Sequence, residues 1–282
     1  MLKREWVRFG KAKELLGFCT WIEGAAPAVP GIVVIQEAWG VDPHIEDVAL
    51  RFAKAGYVAL APDLFAENGM RPAALAHARM EALKEFINTL PPAAWGDPKL
   101  REEALAKLPE PRRSEVGESF TALFSVVMAR VDAFVAPLVA AVEYLHAEHP
   151  LARGAKVGAV GYCLGGTLVP LLAAAAPDLG AAVIYYGSAP SPETIGRIAC
   201  PVLGLYGALD TRVNAGIGAF AAAMQRHHKA FEHHIFEGAQ HAFFNDTRPS
   251  YNAAASRDAF ARTLEFFRRA LPSDSSAHEA RA

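Results

Sequence analysis

Cysteine is scarce in this sequence: Cys19, Cys163 and Cys200 are the only three in 282 residues. An odd, sparse set excludes a disulfide scaffold and fits a reducing compartment. Net charge is nearly absent as well, at −2, which argues against nucleic acid or an anionic membrane surface as a partner. No apolar run is long enough to span a bilayer; the longest, near Leu164 to Ala176, contains glycine and proline. The opening residues Met1-Leu2-Lys3-Arg4-Glu5 lead into no signal-peptide core. Internal repeats, low-complexity blocks and interdomain linkers are missing too. Against these absences stands a hydrophobic content of 52% with 21% charged residues, enough for a sizeable core. The expectation is a soluble cytoplasmic protein, a monomer or small homo-oligomer, with a small molecule as its partner.

The chain alternates strands and helices. Trp6 to Phe9 and Leu15 to Ile22 read as an opening strand pair, with Gly10 and Lys11 in the turn. Gly31 to Gln36 is a β-branched apolar run of the kind buried on both faces. Asp42-Pro43 then caps and opens a helix that stops at Gly56, and Tyr57 to Ala61 is the next strand. Strand–helix–strand order implies a parallel sheet. Phe65 to Arg130 breaks the rhythm. Helical stretches near Ala73 to Thr89, Lys99 to Leu108 and onward from Ser114 form an insertion too long for a simple crossover. The rhythm resumes with a helix over Asp132 to His146 and strands at Val157 to Val160, Ala181 to Tyr186, Pro201 to Tyr206 and Ala230 to Phe236. Helices follow Leu164, Val213 and Tyr251. The expected architecture is a single α/β domain over 1–271, with a helical insertion or lid at 65–130 and a frayed polar tail at 272–282.

The turn after Val160 is the most informative stretch. Gly161-x-Cys163-x-Gly165 is the nucleophile-elbow pattern, with Cys where Ser is usual. Its glycines suit a strand-to-helix turn too tight for side chains on either side of the nucleophile. A helix N-terminus at the sulfur also favours a thiolate, although a small buried Cys is often inert core. Asp210 and His241 likewise lie just past predicted strands, where open parallel sheets bind ligands. Their order, nucleophile then acid then His, is that of α/β-hydrolases. An imidazole can take the thiol proton, and a carboxylate fixes its tautomer. The backbone N–H groups of Leu164 and Ala38 are placed to form an oxyanion hole. Asp210 equally suits the N-cap of the following helix, and His241 an ordinary loop. Asp63 and Glu237 also follow strands but rank below Asp210. His227-His228 and His233-His234 lack partners at metal spacing. No Gly-x-Gly-x-x-Gly fingerprint occurs. Neither a metal nor a cofactor is expected.

Six segments together resemble the dienelactone hydrolase family. They are Gln36-Glu37-x-Trp39-Gly40, Gly56-Tyr57, Ala61-Pro62-Asp63-Leu64, Gly161-Tyr162-Cys163-Leu164-Gly165-Gly166, Tyr206-Gly207-x-x-Asp210 and Gly238-x-x-His241-x-Phe243. The resemblance spans about Leu15 to Leu271. It implies an α/β-hydrolase fold and the opening of lactone or ester bonds without a metal or organic cofactor, as in carboxymethylenebutenolidases. It also implies a role for Glu37, pairing with the resting thiol and helping to activate it when substrate binds. Trp39, Phe243 and Asn245 are candidates to contact substrate. Asn245 stands where the family's site carries an arginine four residues after the His, and an amide cannot form the same charged, bidentate pair with a carboxylate. Arg71, Arg112, Arg113, Arg130 and Arg212 are the other cations available for such a clamp.

Overall fold

Eight strands form one sheet in the order β1-β2-β4-β3-β5-β6-β7-β8. They are β1 (Leu2–Phe9), β2 (Leu15–Ile22), β3 (Gly31–Ile35), β4 (Val58–Pro62), β5 (Val157–Tyr162), β6 (Ala181–Tyr185), β7 (Val202–Gly207) and β8 (Phe231–Phe236). Only β1 and β2 run antiparallel to their neighbours; the rest is parallel. The computed structural model describes residues 1–25, 28–91, 94 and 97–272, except for the side chains of 128–130. From 273 onward, the expected tail lies outside the described residues.

Every residue of β3 to β7 is buried, as expected of strands covered on both faces by crossover helices. The side chains divide with period two. Ile32, Val34, Val160 and Tyr162 face one layer with α1 (Pro43–Lys54) and α10 (Ala253–Ala270). Val33, Ile35, Val157 and Ala159 face the other, with α5 (Val135–Glu143), α6 (Leu164–Ala175) and α9 (Ile217–Arg226). The edge strands β1 and β8 are half-exposed.

The insertion carries α2 (His77–Asn88), α3 (Pro98–Leu105) and α4 (Arg112–Arg130). α2 starts later than expected because Ala73–Leu75 is a 3-10 turn and Ala76 then turns extended. Two buried ion pairs fasten the insertion to the sheet. Asp42 caps Ile45 through one oxygen and accepts from Lys84 Nζ of α2 at 2.8 Å through the other. Arg71 Nε donates to Asp63 Oδ2 at 2.7 Å.

Other helices depart from expectation in detail. The predicted Asp132 to His146 helix begins as a 3-10 turn over Asp132–Phe134 and ends in a π-turn over Tyr144–Glu148. Pro137 falls in the first turn of α5, where its missing N–H costs no hydrogen bond. The Val213 to Arg226 helix is two, α8 (Thr211–Asn214) and α9, parted at Gly216, because Asn214 turns its side chain back to the Gly207 carbonyl at 2.9 Å. α7 (Pro192–Arg197), capped by Ser191, lies in a stretch where no element was predicted. Among the described residues, no single helix is long and apolar enough to cross a membrane.

Candidate active site

The elbow is strained where the sequence pattern requires it. Cys163 has φ 53° and ψ −106°, left-handed backbone that a side chain rarely adopts. The surrounding backbone over-determines it. A methyl group on Gly161 would stand 2.1 Å from the Gly165 carbonyl oxygen, and one on Gly165 would stand 2.3 Å from the Ile35 carbonyl. The Gly165 N–H donates to the Gln36 carbonyl at 3.0 Å, and the Cys163 N–H to the Tyr185 carbonyl at 3.1 Å. The turn is thus stitched to the ends of β3 and β6.

Strand register then assembles the site. Ile35 pairs with Gly161, Tyr162 with Tyr185, and Gly207 with Phe236. Glu37, Cys163, Tyr186, Asp210 and His241 therefore leave neighbouring strand ends on one edge of the sheet. His241 Nε2 lies 3.2 Å from Cys163 Sγ, and its Nδ1 lies 2.5 Å from Asp210 Oδ2. Asp210 also caps α8, its Oδ1 accepting from the Val213 N–H at 3.4 Å. The two sequence readings of Asp210 are therefore one structure: the cap fixes the carboxylate that orients the His.

Burial opposes a charge on His241, but Cys163 and Asp210 outweigh it and push the imidazole up to about 10. Burial also opposes the Asp210 charge, yet the hydrogen bond from His241 and its charge hold the carboxyl below the usual range. An imidazole in this setting can accept the sulfur's proton and hold it near the site of reaction.

Glu37 is buried and takes two neutral donors. Tyr186 Oη donates to Oε1 at 3.0 Å, and Asn245 Nδ2 to Oε2 at 2.7 Å. Cys163 Sγ is bonded to His241 and to no other side chain among the described residues. Three residues proposed as substrate contacts are placed otherwise. Asn245 is wholly buried, its amide committed to Glu37 and, through Oδ1, to Thr247. Phe243 is wholly buried in the aromatic layer beneath the site. Trp39 is buried under the Arg248 guanidinium, 5.4 Å from its ring centre. None presents open surface to a substrate.

Sequence reasoning missed Tyr186. Its ring packs edge-on against His241 with centroids 5.1 Å apart, and its φ is 41°. The one available signal was its position at the end of a predicted strand, level with the elbow.

The candidate clamp arginines are mostly engaged elsewhere. Arg71 is buried on Asp63 and donates to the Val41 carbonyl at 3.1 Å. Arg112 pairs with Glu85 and Arg113 with Glu110. The Arg130 side chain lies outside the described residues. Arg212 is exposed on α8 and supports the Asp210 charge. Asp63 is spent on Arg71, and Glu237 is exposed. No group of three His, Cys, Asp or Glu suited to a metal occurs among the described residues. A cavity of about 320 Å³ opens between α2, α3 and α4, lined by Phe86, Leu105, Val116 and Phe120, and none of the residues at the sheet edge lines it.

The sequence and the fold agree with known proteins. Residues 19–271 match the model of the dienelactone hydrolase family. A Saccharolobus solfataricus protein with a provisional carboxymethylenebutenolidase name is 32% identical over 249 residues, covering 87% of this chain and 92% of the relative. A Bradyrhizobium protein provisionally named a 2-oxo-3-(5-oxofuran-2-ylidene)propanoate lactonase is 28% identical, covering 85% and 84%. Among solved structures, a Klebsiella pneumoniae protein provisionally described as a dienelactone hydrolase superimposes with TM-score 0.68 at 23% identity, covering 95% of this chain and 98% of the other. The chain belongs to the dienelactone hydrolase family and is a carboxylic ester hydrolase of that type.

Proposed function

We propose that the protein opens a lactone or carboxylic ester through Cys163, His241 and Asp210, by way of a thioacyl-enzyme. The observation that carries this reading is the unbroken chain of hydrogen bonds from Asp210 Oδ2 through both nitrogens of His241 to Cys163 Sγ. Sulfur attacks the carbonyl carbon, and its proton resides on His241 Nε2. The carbonyl oxygen becomes an oxyanion that accepts from the N–H groups of Leu164 and Ala38. Leu164 is the first residue of α6, so its N–H has no acceptor within the helix. The Gly165 N–H bonds the carbonyl of Gln36, two residues before Ala38, which supports a role for the turn after β3 beside the elbow. Collapse of the tetrahedral species expels the alkoxide, which takes the proton from His241. Water then attacks the thioester, giving a proton to His241; the acid leaves and the thiol is restored. With a lactone, the alcohol remains tethered and the product is a hydroxy acid.

The lactone class rests on the names of the relatives. The test sets dienelactone and protoanemonin-type lactones beside short p-nitrophenyl esters, using the wild type and Cys163→Ala. Turnover that disappears in a folded Cys163→Ala protein is the expected result. Turnover of simple esters alone keeps the chemistry and moves the substrate class. Undiminished activity in the variant contradicts the reading.

A further inference from the structure

The turn that carries Ala38 is only weakly closed by its own backbone. It runs from Glu37 to Gly40, and the Gly40 N–H reaches the Glu37 carbonyl at 3.4 Å, a long hydrogen bond. Glu37, Trp39 and Gly40 are buried, and Ala38 alone of the four is half-buried. Gly40 has φ 86°, left-handed backbone that favours glycine, and so one face of the turn carries no side chain. The Arg71 guanidinium packs against that face. A methyl group on Gly40 would stand 2.5 Å from Arg71 Nη2 and 2.8 Å from Cζ. Nη2 donates to the Val41 carbonyl, one residue past the turn, at 3.1 Å.

Arg71 is itself held from the other side. Nε donates to Asp63 Oδ2 at 2.7 Å and Nη1 to the Leu75 carbonyl at 3.4 Å, and the ion pair is almost wholly buried. Asp63 stands just past β4. Its N–H is on the Leu16 carbonyl at 2.9 Å, and its Oδ1 takes the Phe65 N–H at 3.1 Å. Each guanidinium nitrogen thus donates within the protein, and the group is turned inward and not toward a substrate. A buried ion pair adds little net stability over apolar side chains of similar size. What this pair supplies is direction, because a planar fork in three hydrogen bonds has one orientation. We propose that Arg71 is a positioning residue for the oxyanion hole, fixing the 37–40 turn so that the Ala38 N–H keeps its aim. The inference rests on the proposed hydrolytic reaction and gives the start of the insertion a part in it. An oxyanion donor is effective only when aimed before charge develops, and a displacement of about 1 Å costs on the order of 100-fold.

The test is Arg71→Lys. Lysine keeps a charge for Asp63, but one ammonium cannot serve Asp63, Leu75 and Val41 together. Asp63→Asn is carried in parallel; it loosens the same guanidinium and keeps an oxygen for the Phe65 N–H. Hydrogen exchange over residues 37–41, read by mass spectrometry, reports the turn. Turnover of a short p-nitrophenyl ester reports the hole. Exchange at the turn is expected to quicken several-fold in both variants. In Arg71→Lys, kcat is expected to fall about 10- to 100-fold with KM within about twofold, because the hole acts on the transition state and not on bound ester. Alkylation of Cys163 by iodoacetamide forms no oxyanion, so its rate is expected to match the wild type; a general loosening of the site would change both reactions. Unchanged exchange over 37–41 in both variants overturns the proposal, whatever the turnover. So does faster exchange with kcat unchanged, or a fall in kcat matched by an equal fall in alkylation. Turnover missing from the wild type, or persisting in Cys163→Ala, defeats the hydrolase reading instead, and faster exchange at the turn then leaves the brace standing without that reaction.

Discussion

The C-terminal edge of the sheet and the helical insertion are built in opposite ways. At the sheet edge, six side chains form two hydrogen-bonded groups, Glu37 with Tyr186 and Asn245, and Cys163 with His241 and Asp210, which meet where the Tyr186 ring packs on His241. The backbone beneath leaves no room for an added methyl group. The insertion is looser. α3 buries none of its residues, Leu100 and Phe124 are exposed, and a cavity of about 320 Å³ lies among its helices. It is held to the sheet by the Lys84–Asp42 and Arg71–Asp63 pairs. Rigid parts carry bond-making chemistry, which tolerates little displacement. A loosely packed appendage can change shape or specificity without disturbing it.

This contrast can be broken from either side. The largest effect is expected at the sheet edge: Cys163→Ala and Asp210→Asn should lower kcat/KM by on the order of 10³-fold or more, with circular dichroism unchanged. An Asp210→Asn enzyme near wild-type activity would remove Asp210 from the reaction. At the junction, Lys84→Met leaves Asp42 charged and buried without its partner. The expected cost is about 3–5 kcal/mol in chemical denaturation; a loss near zero would show that the pair does not anchor the insertion. Gly161→Ala drives a methyl group against the Gly165 carbonyl. It should cost about 1–3 kcal/mol and reduce activity with it.

A pH titration sharpens the same comparison. The His241 imidazole is raised to about 10 in the folded protein, above the ~6.5 of an unfolded histidine. Its stabilising contribution is therefore complete below about pH 6.5 and is lost as pH rises through about 10. The Tm difference between wild type and Asp210→Asn should narrow across that window, and a constant difference would contradict the charged pair. The smallest effect belongs to the insertion surface. Phe124→Ser, at an exposed site, should shift stability by no more than about 0.5 kcal/mol and leave kcat unchanged.

The legible parts of the site were those whose requirements are local. Gly161 and Gly165 declare a tight turn by their spacing, and the apolar runs before Cys163, Asp210 and His241 declare strand ends. The fold class followed from the same strand–helix order. Residues that act through distant partners left no such mark. Asn245 meets Glu37 across 208 positions, so it read as a substitute for a substrate-binding arginine; in the fold it turns inward and holds a carboxylate. Tyr186 is one aromatic residue at the end of a buried strand, and only its backbone angle and its neighbours distinguish it. Lys84 lies within the helical stretch near Ala73 to Thr89 and drew no reading of its own, yet it is buried on the cap of α1.

The most direct measurement is rapid-quench mass spectrometry during turnover of a short p-nitrophenyl ester. The account predicts an acyl mass increment on the Cys163 peptide that forms and decays with turnover and is missing in Cys163→Ala. Ester hydrolysis that proceeds without that adduct, and persists in Cys163→Ala, would contradict it.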